Sequence, residues 1–131
     1  MTSPPTTSTR EWYIRIALGI SGVVIALPGV IGTASSAGIE ALYDTGPLTE
    51  LEAALLQHRA ALLAIVGVLL LVSILSKHLR PAAIATALAS NASFILFTLV
   101  HSASFDSLAL VAATDVVLSV LLAFALFFSR K

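Results

Sequence analysis

Four apolar runs, at about 14–31, 51–76, 81–101 and 107–129, occupy most of this chain and constrain what it can fold into. Each is close to or longer than the roughly 20 residues that carry an α-helix across the hydrocarbon core of a bilayer. Lipid offers backbone N–H and C=O groups no water to bond with, so segments of this kind must satisfy them internally, as helices. The chain therefore reads as all-α: an integral membrane four-helix bundle of up-down topology, one transmembrane domain over 10–131. Residues 1–9, rich in Thr, Ser and Pro with no apolar pattern, read as a disordered tail. Only 11% of the 131 residues are charged, 58% are hydrophobic and the mean hydropathy is +1.02. A soluble domain carries about 25% charged residues, so much of this surface has to face lipid.

Local signals mark the ends of the runs. Trp12 and Tyr13 stand where an interfacial aromatic anchor belongs. Pro28-Gly29 and Gly32 are expected to kink or end the first helix. Thr49-x-x-Glu52 is a capping box ahead of the second run. Pro81 suits the first turn of the third helix, and Asp106 or Ser107 a cap for the fourth. The connections 77–80 and 102–106 allow only tight hairpins. The loop 33–48 is longer, and 39–43 within it is expected to form a short interfacial turn.

Charge sets the orientation. Arg10, Arg15, Lys77, Arg80, Arg130 and Lys131 fall on one side of an even, four-span arrangement, and Glu40, Asp44, Glu50, Glu52 and Asp106 on the other. Six of the seven basic residues thus obey the positive-inside rule, which puts both termini in the cytoplasm. The first run, followed by Ala34-Ser35-Ser36-Ala37, also has the form of a secretory signal with a cleavage site; we expect it to be retained as a span. Zero formal net charge argues against nucleic acid as a partner. The absence of cysteine excludes disulfides, thiolate metal sites and thiol catalysis.

A few polar residues interrupt the apolar runs. Arg59 is the one basic residue that breaks the inside pattern, with His58 beside it; Asn91 lies in the third run and Asp115 in the fourth. Charged groups at such depth are costly and normally face the bundle interior, paired. At about 1.5 Å per residue, Arg59 lies roughly 25 Å from the cytoplasmic end, Asp115 about 21 Å, Asn91 about 15 Å and His101 about 30 Å. This places Arg59 and Asp115 within one turn of a common level and predicts an ion pair between them. Asn91, Phe94, Thr98 and His101 share a helix face, and Ser119 lies one turn from Asp115. Together they make a polar stripe in the outer half. An Arg–Asp pair there either fixes helix register or floors an outward-opening site in which His58 or His101 moves protons. Asn91 alone is ordinary interhelical bonding, and His78 in the hairpin is a surface residue. Ala82, Ala85, Thr86, Ala89, Ser90 and Ser93 suggest that the third helix is the central packing helix, and Gly19 and Gly22 suggest close approach in the first. No His-x-x-x-His or Glu-x-x-His spacing is present, so neither metal nor cofactor is expected.

The pattern Leu42-Tyr43, His58-Arg59-Ala60, Ser90-x-x-Ser93-Phe94 and Asp115, with Gly67 in the second span, resembles a family of small bacterial four-span membrane proteins. In that family the tyrosine is usually followed by glycine, whereas Asp44 follows it here. Its members are often named phosphopantetheine adenylyltransferase. That enzyme needs a nucleotide-binding α/β domain with a His-x-Gly-His motif, and this sequence has neither. The resemblance implies the architecture and the marked residues rather than an activity.

Three readings of function follow. Small size and the lack of a complete catalytic constellation favour a structural or accessory component, acting alone, as a homodimer or with other membrane subunits. The polar stripe favours an enzyme or binder of a small lipophilic molecule: Arg59 holding an oxygen, Asp115 orienting it, and a histidine as acid or base. A small transporter ranks last, because the first span carries no carboxylate beyond Glu11 and no inverted repeat is visible.

Overall fold

The computed structural model describes residues 8–100 and 105–129, with side chains from 108 onward in the last segment. Among the described residues every regular element is helical: α1 Thr9–Ala34, α2 Ser36–Tyr43, α3 Glu50–Leu75, α4 Arg80–Val100 and α5 Phe105–Ser129. All but α2 are long and apolar enough to cross a membrane.

The helix ends follow their local chemistry. Ser8 caps α1 by accepting the Glu11 N–H at 3.3 Å, so the helix starts earlier than the apolar run alone suggests. Thr49 and Glu52 form the expected capping box at α3. Pro81 falls in the first turn of α4. The α5 helix is already under way at Phe105, so Asp106 and Ser107 lie within its first turn rather than ahead of it. Pro28, Gly29 and Gly32 do not end α1, which runs on to Ala34; α3 packs along these residues and holds the segment helical. Ser35 then caps α2, accepting the Gly38 N–H at 3.1 Å. The expected interfacial turn is thus a two-turn helix, pinned by fully buried Ile39. It ends at Asp44, whose left-handed conformation (φ 51°, ψ 43°) is one that glycine adopts without strain.

Each long helix buries one stripe. In α1 this is Ile14, Ala17, Leu18, Ser21, Ile25 and Ala26, at the three-to-four-residue spacing of one helix face. It meets Leu70 of α3, Ala83, Ile84 and Ala87 of α4, and Leu118, Leu122 and Ala125 of α5. α1 contacts α3 and α5, and α4 contacts the same two, so the four helices enclose a common core. Because α1 carries so much of that core, it is an integral part of the fold.

The closest approach joins α1 to α3, which run antiparallel: Gly22 faces Leu71, Gly29 faces Ala64 and Gly32 faces Ala60. A methyl group built on Gly67 would come within 2.5 Å of the Ala26 backbone nitrogen. The central packing therefore lies here and not on α4. There the expected small residues Ala82, Ala85, Thr86, Ala89 and Ser93 are exposed, and only Ala83 and Ala87 reach the core. Outward faces are apolar, with Leu55, Ile65, Leu75, Leu96 and Leu110 among many exposed residues. An apolar surface of this extent is suited to contact with lipid rather than water.

One end of the molecule is tied by charge. Arg80 is 3% exposed and forks onto Glu11 through Nη2–Oε1 at 2.8 Å and Nη1–Oε2 at 3.0 Å. Its Nε and Nη2 also donate to the Ser73 and Ile74 carbonyls, both at 3.1 Å. Those carbonyls lack helical partners at the end of α3, so Arg80 caps that helix while joining it to α1. Arg15 and Lys77 also approach Glu11, at 3.1 and 3.7 Å.

Candidate functional site

A cavity of about 410 Å³ opens among α1, the end of α2, α3, α4 and α5, within the size range of small-molecule sites. Its walls are mostly apolar, including Ile25, Leu63, Val111 and Leu118. Pro28 also lines it; having no N–H, this residue leaves the Val24 carbonyl of the same wall without its helical donor. Polar side chains come from four elements: Tyr43 of α2, Arg59 of α3, Ser90, Asn91 and Ser93 of α4, and Thr114 and Asp115 of α5.

Most of these polar groups are already satisfied within the protein. Asn91, almost fully buried, donates from Nδ2 to the Asp115 carbonyl at 3.4 Å and to Ser119 Oγ at 3.3 Å. Ser119 donates to the same carbonyl at 2.7 Å, closing a small network between α4 and α5. The Ser93 and Thr114 hydroxyls donate to carbonyls of their own helices, Ser90 and Leu110.

Arg59 and Asp115 differ. The Arg59 guanidinium lies 4.3 Å from the centre of the Phe94 ring and 5.7 Å from that of Tyr43, and Nη1 donates to the Tyr43 hydroxyl at 3.3 Å. A guanidinium has five N–H donors, and among the described residues only this one is used. The Asp115 carboxylate has no hydrogen bond from any described residue; its backbone carbonyl, not its side chain, takes the bonds on α5. It feels the Arg59 charge, yet no ion pair joins the two among the described residues. The expected direct pair is thus replaced by two opposite charges on the walls of one cavity. Phe94 and Tyr43 hold the guanidinium by cation–π attraction and a hydrogen bond.

The remaining expected site residues divide. Thr98 is buried, but it donates to the Phe94 carbonyl of its own helix at 2.9 Å and does not reach the cavity. Ser119 serves the Asn91 network without lining the cavity. His58 is exposed and outside the lining. His101 lies outside the described residues, as do the tail through residue 7 and Arg130 and Lys131. No group of three or more potential metal ligands occurs among the described residues.

Two participants escaped the expectation. Tyr43 belongs to the recognised Leu-Tyr pattern, but nothing in the linear sequence places it against Arg59, sixteen residues on. Glu11 was legible only as a lone acid on the basic side of the chain, and that isolation was the available clue to its pairing with Arg80.

Compared with family models, curated proteins and solved structures, the chain matches none.

Proposed function

We propose that this is a multi-pass protein of a bacterial inner membrane that binds a small lipophilic molecule in the outer half of an up-down four-helix bundle. The observation that carries this reading is the cavity: Arg59 and Asp115 both face it, and neither is neutralised by the other. Keeping two unpaired charges at membrane depth is costly, and a bound polar group offsets that cost. The resemblance noted in the sequence agrees, since Tyr43, Arg59, Ser90, Ser93, Phe94 and Asp115 come from separate parts of its pattern and line one cavity. Cytoplasmic termini belong to the same reading. Glu11 gathers Arg15, Lys77 and Arg80 at one end, and the cavity lies toward the acidic loops at the other.

Purified protein extracted with organic solvent and examined by mass spectrometry tests the reading. A molecule should be recovered at near one-to-one ratio from the wild type and lost from Thr114→Phe, which fills the cavity. Recovery of nothing, together with an unchanged melting temperature in the presence of any lipophilic compound, rejects it.

A structural or accessory role draws on the Asn91–Ser119–Asp115 network, which joins α4 to α5 with bonds typical of interhelical packing. Co-purification of a constant partner subunit from native membranes, unaffected by Thr114→Phe, would favour it over binding.

A further inference from the structure

Resting on the binding reading above, we infer that the cavity takes a zwitterionic amphiphile whose phosphate or carboxylate meets Arg59 and whose ammonium meets Asp115, with its apolar tail leaving past Leu62 and Leu110 into the bilayer.

The charges select the head group. A head that is only anionic pairs with Arg59 but leaves Asp115 unpaired and repelled across a small, mostly apolar space, where Coulomb interactions are far stronger than in water. A head that is only cationic meets the same conflict at Arg59. An uncharged head leaves each charge without a counter-charge at contact distance. A zwitterion answers both and keeps the occupied cavity neutral.

The geometry of Arg59 narrows the anion. The guanidinium carbon lies 4.3 Å from the centre of the Phe94 ring and Nη1 donates to Tyr43; among the described residues this leaves further N–H donors for an anion. Paired guanidinium donors match two oxygens of one carboxylate or phosphate. Tyr43 accepts from Arg59, so its own hydroxyl proton is left to donate to the same anion. On the other wall, neither carboxylate oxygen of Asp115 is bonded by a described residue, so both can accept from an ammonium.

The tail route is set by the rim. Leu62 and Leu110 line the cavity and are 50% and 81% exposed, on surfaces that lipid covers. The cavity therefore reaches the outside at apolar residues, and entry from within the bilayer requires no passage through water.

Binding of defined amphiphiles to the purified protein, read by native mass spectrometry, tests this with phosphatidylethanolamine, its single-chain lyso form, phosphatidylglycerol, an alkylamine and a monoacylglycerol. Either ethanolamine compound should bind at least about tenfold more tightly than the other three. Preference for the two-chain form identifies a bilayer lipid, and preference for the lyso form a free amphiphile. Arg59→Gln and Asp115→Asn should each abolish the preference while leaving the apolar contacts. Equal or tighter binding of phosphatidylglycerol, alkylamine or monoacylglycerol, displaced by Thr114→Phe, overturns this inference and leaves the binding reading standing. No binding of any of the five, with Thr114→Phe indistinguishable from wild type, removes both. The head-group comparison needs only the wild-type chain, so it decides even where a variant fails to fold.

Discussion

Asp44 shows how one residue can meet a backbone requirement imperfectly. Its left-handed conformation ends α2, and that region costs an L-residue about 1–2 kcal/mol, with Asp and Asn penalised least. Asp44→Gly should therefore leave stability unchanged or raise it by up to about 1 kcal/mol, whereas Asp44→Val should lower it by about 1–2 kcal/mol. Thermal unfolding in detergent would show the order Gly, Asp, Val; a Val variant as stable as the wild type would mean that the turn is not held in this conformation. Arg80 is the opposite case, a charge with four of its five N–H donors taken by Glu11 and two carbonyls. Removing one partner of a buried pair leaves the other uncompensated, so Glu11→Gln should destabilise by about 3 kcal/mol. The double variant Glu11→Gln/Arg80→Met should recover part of that loss, and a strictly additive double variant would show that the pair is not coupled.

At the scale of elements, the α1–α3 contact is the tightest joint, and glycine permits it by removing side chains where backbones meet. A Cβ on Gly67 meets Ala26 backbone atoms rather than a flexible side chain, so nothing nearby can yield cheaply. Gly67→Ala should cost about 1–3 kcal/mol by overpacking. Gly19→Ala serves as the control, since its nearest neighbour is Ile74 Cδ1 at 3.8 Å, an ordinary contact. Equal melting temperatures for the two variants would contradict this packing. The α2 helix has a different use. It is too short to span, yet buried Ile39 fixes it and its last residue, Tyr43, reaches Arg59. The sequence marks this segment as a short turn but does not disclose its role, because the meeting of Tyr43 with Arg59 depends on how the 44–49 loop folds back. That return is fastened by the Leu48 N–H donating to Glu40 at 3.3 Å.

For the molecule as a whole, orientation is the property most open to direct test. Reporters fused after residue 131 and within 77–80 should be active only in cytoplasm, and one inserted at Gly46, in the exposed loop beyond α2, only outside it. A Gly46 reporter active in the cytoplasm would invert the proposed topology and turn the cavity inward. The expected polar stripe was partly legible. Arg59, Asn91 and Asp115 do gather at one cavity, because helical rise and span length fix their depths. Thr98 and His58 shared that depth without reaching the cavity, because rise along a helix says nothing about rotation about its axis.

That distinction separates what each level decided. Length and apolarity alone determined four helices long and apolar enough to cross a membrane, since lipid permits few other backbone structures. Local sequence also determined the capping box at Thr49 and the tight turn before Pro81, which depend on neighbours within a few residues. Only the tertiary structure decided that α1 and α3 form the close joint, that Glu11 holds Arg80, and that Phe94 and Tyr43 rather than Asp115 hold Arg59. Those contacts depend on the relative rotation of packed helices. On chains as uniformly apolar as these, that rotation is set by where small residues let backbones approach, not by hydrophobicity along the sequence.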